Sequence, residues 1–240
     1  MAGFGPPYSK DRMATCTHAV TTASTTNATS YTSGAFTPAA GDLLVAFVRA
    51  GATVAVDPNA SMSTSLGIPF SYIRRQTFRT SLDSLYAFVS NGLVAASLQS
   101  VTFNCTGDAA DGTVIFVCRV SGMTRTGLDA ILQSAGQDNQ AAAGTPAPAF
   151  GSSALTGNVT MGVVGNSTNP ATMTTPTGWT EQGDSGYATP TSGAEYVTRD
   201  SGFTGTTVTW GSTSATAFGS LIIELDTTVP VLMGAQMEYD

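Results

Sequence analysis

Charge is what this sequence has least of. Asp, Glu, Lys and Arg make up 10% of its 240 residues, against about 25% in ordinary globular proteins. Lys10 is the only lysine and the net charge is −7, so the basic track that a nucleic-acid backbone requires is missing. Nucleic acid is therefore excluded as a partner. A single histidine, His18, leaves little room for imidazole base chemistry. No apolar run approaches the ~20 residues needed to span a bilayer, and the start lacks a basic stretch followed by an apolar one. The expectation is a soluble chain made in a cytoplasm and not bound to membrane. Three cysteines, Cys16, Cys105 and Cys118, match no zinc spacing. Cys105 and Cys118 fall on the two arms of one predicted hairpin, which leaves open a cross-strand disulfide or two buried free thiols, the ordinary state of such residues.

What is there is a pattern written twice. Val101 to Val120, VTFNCTGDAADGTVIFVCRV, recurs without a gap as Val208 to Thr227, VTWGSTSATAFGSLIIELDT. Each copy is a Val-Thr-aromatic strand, a polar turn, a Gly and a second apolar strand, the signature of a β-hairpin. Other segments correspond in the same order. GDLLVAFVR from Gly41 has NVTMGVVGN from Asn158 as its counterpart, GIPFSYIRR has PTGWTEQGD, and SLYAFVSNG has SGAEYVTRD. A chain of this length can bury roughly 70–75% of its unfolded surface. Each half alone, as an open four-stranded sheet, would leave an apolar face uncovered. Face-to-face packing of the halves removes that face from water. The reading is all-β, a sandwich built from two sequence-related halves, about 34–136 and 154–226, within a domain spanning 34–226.

The remaining segments frame that domain. Residues 1–33 read as an N-terminal arm with one or two edge strands in the Thr-rich stretch, since Thr favours strands. In Phe36 to Ala50 the alternation predicts Leu44, Ala46 and Val48 inward, Arg49 in solvent, and Val45 and Phe47 on an outer face too apolar to stay uncovered. LDAILQSAG is the one candidate for a helical turn. Gln137 to Ser153, rich in Ala, Gly and Pro, crosses between halves. Residues 227–240 form a C-terminal arm in which Pro230 and Gly234 break any helix. Phe4, Pro7 and Tyr8 in the first arm, and Val229, Val231, Leu232, Met233 and Met237 in the second, are the predicted partner-binding residues.

The succession GDLLVAFV, a Pro/Gly-led aromatic strand, SLYAFV, VTF, VIFVCRVSG and LDA, with a second round carrying PTGWTE and SLIIEL, resembles a family of jelly-roll domains. These occur in tailed-phage virion proteins and in bacterial surface or prophage proteins. The resemblance covers roughly Phe36 to Leu225. It implies a jelly-roll β-sandwich with extended arms and a structural role, most simply a capsid decoration or cement protein on the virion surface. The partner so implied is the major capsid protein, and the analogy implies a homotrimer, for which Val45, Phe47, Ile115 and Val117 supply an apolar motive. It implies no catalytic residue, metal or cofactor.

The residues themselves offer little chemistry. His18 and Cys16 share a strand face without an orienting acid. Glu181, Asp184 and Glu195 are scattered in sequence, and Asp108 with Asp111 is the composition of a turn rather than of a calcium loop. The chain is therefore read as a non-enzyme. The alternative is a carbohydrate-binding or host-attachment module of a tail or fibre, with a glycan stacked on Trp179, Tyr187 and Tyr196.

Overall fold

The computed structural model describes residues 13–52, 59–105, 109–167, 173–188 and 191–228, without the side chains of 186–188 and 191–192. Among the described residues, thirteen strands carry the fold. The first eight are β1 (Thr15–Ser24), β2 (Ser30–Thr32), β3 (Leu43–Gly51), β4 (Ser61–Thr64), β5 (Phe70–Phe78), β6 (Asp83–Ser90), β7 (Val101–Asn104) and β8 (Gly112–Ser121). The rest are β9 (Ile131–Asn139), β10 (Thr160–Asn166), β11 (Thr180–Ala188), β12 (Thr191–Arg199) and β13 (Phe218–Leu225). The predicted helical turn is a single 3-10 turn, Gly127–Ala130, running straight into β9.

Two five-stranded antiparallel sheets stack face to face. Their orders are β1-β8-β3-β6-β5 and β11-β12-β10-β13-β9, and a smaller sheet is ordered β2-β7-β4. Read from β1 and from β9, the two large sheets follow one pattern: the first strand in sequence, the last, the second, the fourth, the third. Each takes its strands from one contiguous part of the chain, whereas a jelly roll winds successive strands alternately between two sheets. The Thr-rich segment forms edge strands β1 and β2, and β9, starting at Ile131, already belongs to the second large sheet.

Every residue of β3, β6, β10 and β13 is buried, because both faces of each large sheet are covered. Between the sheets, Val45, Phe47, Val114 and Phe116 meet Met161, Val163, Tyr196, Leu221 and Ile223. On the outer face of the first sheet, Leu44, Ala46, Val48, Ile115 and Val117 pack under Phe103, Met62 and Tyr31 of the small sheet. The outer face of the second is closed by extended segments carrying Phe150, Phe203, Val208 and Trp210 over Val164, Val197 and Ile222. Phe103 and Trp210 thus each cap their own sheet from outside. The expected parity of β3 is inverted: Val45 and Phe47 face the other sheet, and Leu44, Ala46 and Val48 face the small one. An apolar strand covered on both sides has no alternation to set its parity. The patch invoked for a trimer, Val45, Phe47, Ile115 and Val117, is filled by the chain itself and supplies no motive for one.

The segment expected to cross between halves is the cover. Trp210 and Val208 donate backbone N–H to Pro146 and Pro148, and Phe150 donates to Thr206, so 144–150 and 205–214 form an irregular ladder. Each outermost strand of the large sheets carries a register break: at His18/Val20, Tyr72/Arg74, Glu181/Gly183 and opposite Glu224/Leu225. Such bulges twist an edge out of register for pairing with another chain.

Close approach of the sheets depends on glycine at one cross-strand pair, Gly165 and Gly219. A Cβ on Gly219 would stand 2.6 Å from the Phe78 ring, and one on Gly165 3.3 Å from the Arg49 stem. Gly219→Ala is expected to lower stability by about 1–3 kcal/mol through overpacking, measured by urea melts. A loss below about 0.5 kcal/mol, the size of an ordinary surface change, would mean that Phe78 has room to move.

Candidate functional site

Of the residues assigned to partner binding, Phe4, Pro7, Tyr8, Val229, Val231, Leu232, Met233 and Met237 all lie outside the described residues. Of the other chemistry-bearing groups, Asp108 and the Tyr187 side chain also lie outside them, and the structure puts most of the rest to use between strands.

His18 and Cys16 do sit on one face of β1, but they do not form a dyad. Cys16 is bonded to Cys118, with Cα atoms 6.3 Å apart. The bridge links β1 to β8, and Cys105, buried, stands outside it with its Sγ against the Ala28 and Thr29 carbonyls. The within-hairpin pairing fails because Cys105 closes β7, which belongs to the outer sheet, while Cys118 points between the large sheets. His18 Nδ1 lies 2.7 Å from the Tyr196 hydroxyl, and its Nε2 3.3 Å from Thr21 Oγ1. Cys16 N–H donates to Asp200 at 2.9 Å. These contacts fasten the edge of one sheet to the other. Burial holds the His18 pKa below its ordinary 6.5, so the neutral ring is the one that fits. Its contribution is present above 6.5 and is lost as pH falls below that value.

Arg49 corrects a second expectation. It is fully buried and faces the central core, 3.0 Å from Asp83, which is also fully buried. Its guanidinium stands over the Phe78 ring at 5.8 Å. Arg79 reaches the same carboxylate through Nε at 2.7 Å and Nη2 at 3.0 Å, and also donates to the Ala52 carbonyl. Burial lowers the Arg49 pKa to about 10, with Asp83 pulling the other way. Arg79 opens a turn in which Arg79, Thr80 and Ser81 all have positive φ, a costly conformation for residues with a Cβ. Gln140, accepting from Ser81 N–H and Thr80 N–H, braces that turn from the second sheet.

Glu181, Asp184 and Glu195, scattered in sequence, are brought onto adjacent strands, with Asp184 directly opposite Glu195. Glu195 is 1% exposed, and the Trp210 indole N–H donates to its Oε1 at 3.2 Å. Burial, then the charges of Glu181 and Asp184, push its pKa up to about 7, against the pull of Trp210 and Thr175. A carboxylic acid near pH 7 is chemically suited to proton donation. Here it lies beneath the indole and ties the cover to the sheet. Glu224 does the same at the other end, accepting from Gln133 Nε2, Asn158 Nδ2 and Leu155 N–H at 2.6–2.8 Å. Among the described residues no group of three His, Cys, Asp or Glu side chains is placed to hold a metal ion. Asp111 accepts from Asn27 Nδ2, and Asp108 lies outside the described residues.

The Glu195 carboxyl makes stability depend on pH in a fixed direction. Its folded pKa exceeds its ordinary 4.5, so the folded chain binds the extra proton, and stability present below 4.5 is lost as pH rises through about 7. Glu195→Gln keeps an acceptor for Trp210 and removes the charge. The variant is expected to match the parent at pH 4.5 and exceed it by about 2–3 kcal/mol at pH 8, each shifted unit being worth about 1.4 kcal/mol. Urea melts at both values check this; equal stabilities at pH 8 would mean that water reaches the carboxylate.

Among the described residues the aromatic platform for a sugar is not assembled. Tyr196 is fully buried against Phe47 and Phe116, Trp179 packs edge-on against Phe203, and the Tyr187 side chain lies outside the described residues. No protein-family description, curated protein or solved structure matches the chain. Sequence reasoning missed the Arg49–Asp83–Arg79 group and the Glu195–Trp210 pair, whose members come together only through strand order.

Proposed function

We propose that this chain is a structural protein of a tailed-phage virion, a decoration or cement module mounted on the capsid shell, with the major capsid protein as its partner. The resemblance supplies that class. The observation that carries the reading is where the reactive side chains are spent: His18 on Tyr196, Cys16 on Cys118, Asp83 on two arginines, Glu195 on Trp210 and Glu224 on three donors. Each joins strands, sheets or cover, which suits a rigid building block whose surface and arms do the binding. In this reading the sandwich is a duplicated unit of two related halves, a view supported by the shared strand order of the two large sheets.

The test is partition. In a culture producing particles, the chain should band with full capsids in a density gradient at stoichiometric copy number. Particles made without its gene should lose DNA at lower temperature. Finding all of the chain in the soluble fraction would overturn the proposal.

A further inference from the structure

The strand register gives the sandwich two unlike ends. At one, β1, β3, β5, β9, β10 and β11 begin while β6, β8, β12 and β13 finish, as the pairs Thr15 with Ser121, Phe70 with Ser90, Thr160 with Arg199 and Leu225 with Ile131 require. The two sheets agree in this, because the backbone N–H of Cys16 at the start of β1 donates a hydrogen bond to Asp200 just past β12.

Every large apolar side chain that the described residues expose lies toward this end. Met13 is 60% exposed and Leu93 39%. They line a cleft of about 430 Å³ with Ala39, Ala40 and Met123, and with Asp42 and Ser121 as its polar members. Leu128, 55% exposed, stands on the 3-10 turn before β9, and Leu132 is the bulged residue just inside that strand. Leu155 is fixed here by its N–H to Glu224. Tyr72 is the third residue of β5, while Leu66 lies in the turn that leads to it and Leu98 in the loop that Gln99 pairs to Phe36. Met13 and Leu93 share one cleft, and exposed apolar surface of this kind marks a contact.

The chain also enters and leaves here. Met13 is a wall of the cleft, and Thr228 is held through Arg125, two residues beyond Met123. Residues 1–12 and 229–240, with Phe4, Pro7, Val231 and Leu232 among them, lie outside the described residues, which begin and end at this same end of the sandwich.

We propose that this end is the attachment face, and that its occupant is an apolar protein surface on the capsid shell, engaged by Met13, Leu93 and Leu128 where the described residues begin and end. The assignment rests on the function proposed above and adds the orientation: β3 and β10 point their starts at the shell, and the turn at Arg79–Ser81 faces outward.

The experiment uses the full chain carrying p-benzoylphenylalanine at Leu93 or at Ala141, an exposed residue just past β9 at the opposite end, irradiated on purified particles. Crosslinks to the shell protein are expected from position 93 and not from 141. In parallel, Leu93→Asp and Leu128→Asp, both on exposed side chains, should reduce particle-bound chain at least about tenfold at unchanged melting temperature, and Ala141→Asp should not. Crosslinks from 93 only to the chain's own terminal segments, or only to a second copy, would overturn the assignment, as would shell crosslinks from 141. Those outcomes leave the virion reading standing; absence of the chain from particles removes both.

Discussion

Asp83→Asn is expected to destabilise the chain by about 3–5 kcal/mol, the cost of leaving a buried cation without its facing anion. Arg79 is 32% exposed on its side chain and can swing into water, but Arg49 is fully buried between the sheets. Its guanidinium is already lowered to about 10 by burial with Asp83 present, so removing the carboxylate withdraws the interaction that opposes that shift. The Asn amide keeps the shape of the carboxyl and removes only its charge. A second substitution separates charge from packing: Arg49→Met in the Asp83→Asn background fills a similar volume without a cation and is expected to recover a large part of the loss. A loss below about 1 kcal/mol for Asp83→Asn, the value of an exposed pair, would mean that water reaches the group. The same carboxylate positions Arg79 at the head of the left-handed turn, so the variant should also speed hydrogen exchange at Thr80 and Ser81.

That ion pair shows where the sequence runs out as a guide. Strand identities were legible, because β-branched and aromatic runs between Gly and Pro turns leave few other states. Face assignment was legible only where one face is wet. In β3 both faces are apolar, so Arg49 looked like the marker of the solvent side. It is buried because Asp83, at the start of the neighbouring β6, meets it at the end of the core, and nothing local to either residue records that meeting. Cys118 likewise had a nearer candidate in Cys105, but β7 leaves for the outer sheet and β1 takes the place beside β8. The Ala, Gly and Pro of 140–153 signal a loop, yet an extended segment can cap a sheet by hydrogen-bonding to a partner more than fifty residues away in sequence. Glu195 and Trp210 belong to the same class. Their pairing needs the cover in place, and cover segments carry no periodicity to read.

The second large effect is expected at the bridge. Cys16 and Cys118 are separated by 102 residues, and closing a loop of that size removes enough denatured-chain entropy to be worth about 4–5 kcal/mol in the simplest account, with about 2–4 typical. Cys16→Ser with Cys118→Ser should therefore cost about 2–5 kcal/mol. The loss should be partly local, because β1 is an edge strand held to the first sheet by its ladder with β8 alone. Hydrogen exchange at Thr17 to Thr22 should accelerate well beyond that at Val45 to Val48, and the His18–Tyr196 contact should loosen with it. A reducing cytoplasm opposes such a bond, so the measurement is made on chain purified without reductant. Alkylation under denaturing, non-reducing conditions should modify one thiol, Cys105, and all three only after reduction. Three modified thiols without reductant would leave β1 tied by hydrogen bonds alone, and the double Ser variant would then match the parent in stability.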